Sequence, residues 1–300
     1  MATLREIRRR ITGVKSTQQI TKAMKMVAAA KLRKAQEAII NIRPYSNKMA
    51  ELLHTLAGKI DKSISPLLME RETKHVTLII VTSDRGLCGS FNSNLIRSAV
   101  DFIQSNLTAF YESKKLDMIC IGKKGNDFFS KRHYPVREKH LGLFSDLQFS
   151  SAKEIIQKVT KSFLSCDTDK VYVVYNEFKS IISQKIKIEQ ILPIPESQID
   201  PGESKESKFI EYVDFIYEPN KEEILKKILP QHLNILMWRV FLESNASEQG
   251  ARMTAMDNAT ENAKELIRLL SLSYNRARQT LITKELLEII AGAEALKESA

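Results

Sequence analysis

The chain has 300 residues, of which 43% are hydrophobic and 27% charged, a composition typical of a folded soluble protein and unlike that of a disordered or collagen-like chain. The formal net charge is +10, and the whole excess lies in residues 1–60, where 13 basic residues accompany three acidic ones. The three widely spaced cysteines exclude a disulfide framework, and the sequence has neither a secretory signal nor an apolar run of about 20 residues. We therefore expect an intracellular protein that reaches any membrane only through a partner.

Residues 1–60 predict a first long helix. Good helix formers dominate from Leu4 to about Ala57, and Pro44, one of two interior breakers, is expected to kink or loosen the helix. A helix of this length, about 75 Å, must pack on another elongated element. Its basic excess indicates an acidic partner surface, with nucleic acid as one candidate, although a charge run can also be a plain solvated face. The apolar stripe expected from helical spacing consists of Ile7, Ile11, Val14, Ile20, Met24 and Val27.

Residues 70–195 predict an α/β domain, because strand patterns alternate with helix patterns. Residues 76–82 form a nearly continuous β-branched run, which is typical of a strand covered on both faces. Further strands are expected at 117–121, 170–175 and 184–192, and helices at 92–104 and 152–165. This alternation predicts a mainly parallel sheet. Residues 196–219, polar at their start, are expected to form the loop that leaves the domain.

Residues 220–300 predict a second long helix, which forms an antiparallel coiled coil with the first. Many of the contact candidates on the two helices are small, which lets the helices approach closely; they are Ala28, Ala35, Ala251, Ala255, Ala259 and Ala263. The second helix is the longer one by about eight residues, or about 12 Å. We expect its apolar end, around Leu286–Ile290, either to fold back or to occupy a hydrophobic socket on another protein. The expected contact positions are Leu233, Met237, Val240, Ala259, Ala263, Leu266, Leu270 and Ala277.

No catalytic or metal-binding constellation stands out in the sequence. The turns at 84–89 and 122–125 contain glycines but match neither a dinucleotide fingerprint nor a P-loop, so a structural turn is favoured over a nucleotide site. The five histidines show no metal-ligand spacing. Residues 1–40 contain no aromatic residue, which disfavours nucleic-acid binding and favours an acidic protein sleeve around the basic helix.

Four blocks of sequence resemble, in order, the gamma subunits of the rotary F-type ATP synthase. They are residues 20–36 (ITKAMKMVAAAKLRKAQ), 83–89 (SDRGLCG), 246–260 (ASEQGARMTAMDNAT) and 274–285 (YNRARQTLITKE). The resemblance implies an α/β fold class in which a long antiparallel coiled coil of the N- and C-terminal helices carries an inserted Rossmann-like domain. It also implies a non-catalytic rotor shaft that couples ion flow through the membrane sector to ATP synthesis or hydrolysis in the β subunits. A coiled-coil nucleic-acid-binding protein is the alternative.

The family resemblance also implies the partners. They are three α and three β subunits, the epsilon subunit and the c-ring, with no nucleic acid. ATP, ADP and Mg²⁺ would bind the α and β subunits, so that this chain holds no cofactor itself. The expected location is the cytoplasmic face of the inner cell membrane, reached only through the partners.

Carried over position by position, the resemblance implies three groups of contact residues. Contacts with the β subunits are expected at Lys22, Met24, Lys25, Arg278, Gln279, Thr283 and Glu285. A bearing tip, defined here as Leu286, Leu287, Ile289 and Ile290, is expected to sit in the apolar socket. A foot that meets the c-ring and epsilon is expected at Tyr212, Tyr217 and Glu218.

Overall fold

The computed structural model describes residues 3–57, 65–180, 183–195 and 220–298 and divides into two compact units. The first unit contains Met1–Ala28 and Met253–Ala300, and the second contains Ala29–Arg252. The helices are α1 (Leu4–Ala57), α2 (Phe91–Asn106), α3 (Thr108–Glu112), α4 (Lys123–Lys131), α5 (Phe149–Leu164) and α6 (Lys221–Glu298). The strands are β1 (Val76–Val81), β2 (Leu116–Ile121), β3 (Val136–His140), β4 (Lys170–Phe178) and β5 (Gln184–Leu192).

The two long terminal helices are those expected from the sequence, and the fold class is confirmed. Pro44 lies inside α1, and the helix continues through it. A proline removes one backbone hydrogen bond from a helix, and packing on its C-terminal side can offset that loss. Here Met49 and Leu53 are buried in the core of the second unit, which holds the turns that follow Pro44.

The second unit is built around one sheet with the strand order β3-β2-β1-β4-β5. β1 pairs in parallel with β2 and β4, β2 pairs in parallel with β3, and only β5 is antiparallel to its neighbour. The mainly parallel sheet is therefore confirmed. All six residues of β1 are buried, as its β-branched run predicts for a central strand covered on both faces.

Side chains from alternate positions of the central strands enter two separate cores, because successive residues of a strand point to opposite faces. On one face Leu78 and Ile80 pack with residues of α2 and α4, including Leu95 and Phe129. The opposite face packs against α5 and against residues 225–241 of α6. The long C-terminal helix is thus part of the domain core as well as of a helix pair.

Within the second unit the two long helices also pack on each other. Leu32, Ala35 and Ile39 of α1 form a buried cluster with Leu242 and Ala246 of α6. Two of the five residues are alanine, in agreement with the expectation of a close approach.

Candidate functional site

In the first unit, α1 and α6 form an antiparallel pair that two polar contacts fix in register. The hydroxyl oxygens of Thr21 and Thr260 lie 2.8 Å apart, and Nζ of Lys25 donates to Oδ1 of Asp257 at 2.5 Å. The Lys25 and Asp257 side chains are 40% and 50% exposed. Their ion pair therefore contributes more to the register of the two helices than to the stability of the helix pair.

The least exposed residues of this pair follow alternating spacings of three and four, which is the heptad pattern of a coiled coil. The sequence-based assignments of Ile20, Val27 and Leu266 to this seam were wrong, because these side chains are 59%, 57% and 45% exposed. Met24 and Ala259, also assigned to it, are partly buried and lie beside the seam. Polar residues occupy seam positions that a search for apolar residues passes over. The seam consists of Leu4, Ile7, Ile11, Val14, Gln18, Thr21, Lys25 and Ala28 on α1, and of Met256, Thr260, Ala263, Ile267, Leu270, Tyr274 and Ala277 on α6.

The C-terminal end of α6 extends beyond its partner helix. The observed register places Leu4, the first residue of α1, opposite about Ala277 of α6. All side chains from 278 to 293 are exposed. The projecting end contains about 20 residues and is about 30 Å long, considerably more than the eight residues expected from the lengths of the two segments.

The sequence-predicted contact residues of α6 all lie on this projecting end. Arg278, Gln279, Thr283 and Glu285 are exposed, and the hydroxyl of Thr283 donates to the backbone oxygen of Gln279 at 2.9 Å. A cluster of exposed apolar side chains is typical of an interaction surface. In the bearing tip the exposed fractions are 55% for Leu286, 61% for Leu287, 68% for Ile289 and 58% for Ile290.

The predicted contact residues of α1 have different environments. Lys22 is exposed, Met24 is partly buried, and Lys25 is engaged by Asp257 of the same chain. Of the two lysines, Lys22 therefore presents the more available charge. The predicted foot residues Tyr212, Tyr217 and Glu218 lie outside the described residues.

Asp84 lies in the turn after β1, and its carboxylate joins this turn to two neighbouring segments. Oδ1 of Asp84 accepts hydrogen bonds from the backbone amides of Lys123 at 3.1 Å and Gly142 at 2.8 Å, and Oδ2 accepts one from Phe144 at 3.3 Å. Lys123 is the first residue of α4, so Asp84 takes the position that a bound anion would have at a helix N-terminus. This geometry agrees with a structural turn.

The glycines of the turn at 122–125 allow it to pack closely against the end of β1. Gly122 has a φ of +91°, and a Cβ there would lie 2.1 Å from the backbone oxygen of Thr82. A Cβ on Gly125 would lie 2.8 Å from Oγ1 of Thr82, which accepts the Gly125 amide at 2.8 Å. Both glycines are therefore explained by the close approach of this turn to the end of β1.

The crevice at the topological switch point of the sheet is filled by α6. Ligands of open α/β sheets bind where the strand order reverses, which here is between β1 and β4. At this place Oγ of Ser247 donates to the backbone oxygen of Asn176 at 3.1 Å, near the end of β4. The Arg252 guanidinium donates to the backbone oxygens of Arg85 and Gly86, both at 3.4 Å, in the turn after β1.

Arg252 is held in turn by Glu248, one helical turn earlier, at 2.6 Å, with side chains only 11% and 6% exposed. Burial raises the pKa of Glu248, while the charge of Arg252 opposes that rise. The sequence offered one sign of this arrangement, because both residues belong to the 246–260 block. Their role in attaching the helix to the turn needed the tertiary structure.

Cys88 is buried in the same turn. Nδ2 of Asn92 donates to its sulfur at 3.2 Å, and burial raises the pKa of the Cys88 thiol. A thiol of raised pKa is a poor nucleophile at neutral pH. Cys88 therefore acts as a small packing residue.

In the part of the chain that the structure describes, no three His, Cys, Asp or Glu side chains converge closely enough to hold a metal ion. Among the helices of the same residues, none has the length and apolarity needed to cross a bilayer.

Comparison with known proteins agrees with this architecture. A family model described as ATP synthase matches residues 3–296. The chain is 54% identical to the ATP synthase gamma chain of Chloroherpeton thalassium, covering 100% of both chains, and 53% identical to that of Prosthecochloris aestuarii, covering 99% of each. None of these comparisons supports the nucleic-acid-binding alternative.

Solved structures show the same fold. A chain in the cryo-EM structure of the central stalk and c-ring of the Tetrahymena thermophila mitochondrial ATP synthase is 28% identical, with a TM-score of 0.58 over 80% of this chain and 99% of that one. A chain of the Euglena gracilis mitochondrial ATP synthase is 23% identical, with a TM-score of 0.68 over 98% and 94%. Because over half of its residues are identical to those of a gamma chain that it matches along the full length, this chain belongs to the ATP synthase gamma chain family.

Proposed function

We propose that this chain is the central rotor shaft of an F-type ATP synthase and that it couples ion flow through the membrane sector to ATP synthesis or hydrolysis. The observation that carries the proposal is the projecting end of α6, where about 20 residues extend past the partner helix with the apolar side chains of the bearing tip exposed. An isolated soluble helix would not retain such a surface. In the complex, an apolar socket formed by the surrounding subunits would cover it.

The proposed partners are three α and three β subunits around the helix pair, together with epsilon and the c-ring, which would meet the foot residues Tyr212, Tyr217 and Glu218. Two solved neighbours support this assembly, since one is a central stalk with its c-ring and the other belongs to an F1 sector with its c-ring. The chain is proposed to be non-catalytic, with ATP, ADP and Mg²⁺ bound by the α and β subunits. Its place is then the cytoplasmic face of the inner cell membrane, attached through partners.

The mechanism assigned to the chain is mechanical and electrostatic. A shaft that presents different side chains in different directions stabilises a different conformation in each β subunit, and a turn of the shaft exchanges these conformations. Three exposed side chains can make such directional contacts, namely those of Lys22 on α1 and of Arg278 and Glu285 on the projecting end. Lys25 contributes indirectly, because its ion pair with Asp257 keeps the two helices in register.

Replacement of the four bearing-tip residues by glutamine tests the proposal. We expect the purified complex to lose ATP-driven ion pumping at a temperature several degrees below that of the wild type, because the socket would then cover polar side chains. The measured quantity is pumping after incubation at increasing temperature. The matched control is the double variant Lys284→Gln and Glu288→Gln, which changes exposed residues on the same stretch of helix. An equal effect of both variants would contradict an apolar socket.

A further inference from the structure

The surface between α2 and α4 forms a groove that the shaft function does not use. It encloses about 720 Å³ and is open to solvent. Its floor contains the apolar side chains of Ile96 and Val100 from α2 and of Phe128 from α4. Both helices cover the sheet face opposite to the one that packs against α5 and α6. The groove is therefore separate from the contacts that hold the long helix on the sheet.

The rim of the groove is strongly basic. Arg97, Lys124, Lys131 and Arg132 line it, and the carboxylate of Asp127 is the one acidic group in the same lining. None of the four cations has a carboxylate partner within ion-pair distance among the described residues. Their charge is thus available to a partner.

One of these cations also extends the apolar floor. The guanidinium carbon of Arg132 lies 3.8 Å from the centre of the Phe128 ring. Such stacking orients a guanidinium over the ring and leaves its N–H groups free to bind a carboxylate. The floor and the rim at this end of the groove are therefore one continuous surface.

We propose that this groove binds an acidic amphipathic helix of a partner protein. A groove between two helices accepts the apolar face of a third, and the rim then pairs with carboxylates on the flanks of that helix. The lining on α2 runs from Asn92 to Val100, about 12 Å of helix axis, so the bound segment has two to three turns. A free inorganic anion would leave the apolar floor uncovered, and an extended nucleic acid would find no second aromatic platform there.

The probe for this site is a fluorescein-labelled 14-residue peptide with leucines on one helical face and glutamates on both flanks. Its binding to the full-length chain is measured by fluorescence anisotropy, with folding checked by circular dichroism. We expect saturable binding in the micromolar range that weakens as salt is raised. A peptide of the same composition whose leucines are spread over all faces is the control for plain charge attraction, and we expect it to bind at least tenfold more weakly.

Two variants locate the binding. Arg97→Glu and Val100→Asp should each weaken binding of the amphipathic peptide at least tenfold. The first variant acts through the rim of the groove and the second through its floor. Lys153→Glu makes the same charge change at an exposed site on α5, on the other face of the sheet, and should leave the affinity within twofold. Equal weakening by Lys153→Glu would place the peptide elsewhere on this basic chain and overturn the proposal.

Other occupants of the groove give different results. Tighter binding to phosphatidylglycerol vesicles than to the peptide, abolished by Val100→Asp, would identify a membrane surface as the occupant and refute the helix. Dimerisation of the chain that Val100→Asp abolishes, measured by analytical ultracentrifugation, would identify a second copy and also refute it. No measurable peptide binding by a folded chain would refute the site itself.

Discussion

Asp84 joins three loops of the second unit through one carboxylate. Following β1, it accepts amides from the start of α4 and from the segment after β3, so it connects the carboxyl ends of three parallel strands. In many α/β proteins such amides are available to a phosphate. Here Asp84, in the turn that follows β1, takes that place, in agreement with a turn that matches no phosphate motif.

Replacement of Asp84 by alanine should destabilise the second unit by about 2 kcal/mol, because three backbone amides lose a charged acceptor. Asp84→Asn retains an acceptor oxygen and should cost less. The measurement is the urea midpoint of unfolding. Asp101→Ala, at an exposed position of α2, is the control and should change stability by no more than about 0.5 kcal/mol. If the two alanine variants unfold at the same midpoint, the carboxylate does not hold the loops.

His232 gives the stability of the chain a specific pH dependence. Burial lowers the pKa of His232 to about 4, and the charge of Arg239 acts in the same direction. The folded state therefore binds a proton less readily than the unfolded state, whose histidine has a pKa of about 6.5. The contribution of His232 to stability should therefore be largest above pH 6.5 and fall as the pH decreases towards 4, with little further loss below that value.

Between pH 7 and pH 5, His232 should account for about 2 kcal/mol of lost stability. The variant His232→Gln should lose correspondingly less over the same interval, as measured by urea unfolding at both pH values. His75→Gln, which changes an exposed histidine, should behave like the wild type. An unchanged pH dependence in His232→Gln would show that another group is responsible.

At the scale of elements, apolar pattern and helix propensity were sufficient to locate most of the fold. The bounds of α1 and β5 match the prediction, because one is a run of helix formers and the other alternates regularly. β3 was missed, because Val136–His140 is a polar edge strand whose residues are only partly buried or exposed. Its place in the sheet depends on pairing with β2 and cannot be read from its own sequence.

The coiled-coil seam was predicted only in part, for a different reason. Sequence reasoning assigned apolar residues to the seam, whereas the structure places Thr21 and Lys25 there because polar partners on α6 receive them. Ile20 and Leu266 consequently point outward. A strict heptad count from Leu4 would have found the correct positions. Whether the seam follows the apolar residues or the strict heptad positions depends on the side chains of the facing helix.

Disulfide formation tests this register. In a chain with Cys166→Ser, the pair Thr21→Cys and Thr260→Cys should crosslink readily under mild oxidation, because the native hydroxyl oxygens lie 2.8 Å apart. The pair Ile20→Cys and Thr260→Cys should crosslink at least tenfold more slowly, because position 20 points away from the seam. The readout is the shift of the oxidised band on a non-reducing gel. Faster crosslinking through position 20 would contradict the observed register.

For the whole molecule, the uneven distribution of charge indicates how the chain meets its partners. The excess of +10 lies in residues 1–60, and the remaining 240 residues carry equal numbers of basic and acidic side chains. Part of the basic excess is used within the chain, as the pair of Lys25 with Asp257 illustrates. The rest favours acidic partner surfaces, and a contact between exposed charges is weakened by salt and can be exchanged as a shaft turns.

The surroundings of the candidate binding residues were the least predictable feature. The projecting end of α6 was expected from segment lengths, but its extent depends on the register of the helix pair. The filled switch-point crevice and the groove between α2 and α4 arise from tertiary packing of residues far apart in sequence, such as Ser247 with Asn176. Apart from the membership of Ser247, Glu248 and Arg252 in the 246–260 block, the sequence carries no sign of either.

Rotation of the chain inside its complex is the most direct test of the shaft proposal. Among the described cysteines Cys166 alone is exposed, so it can carry a biotin and a bead in a complex that is immobilised through its β subunits and whose other accessible cysteines have been replaced. We predict that ATP drives rotation of the bead in one direction, with pauses at three equally spaced angles. A bead that stays fixed while the same complex hydrolyses ATP at its normal rate would contradict the proposal that this chain is the rotor.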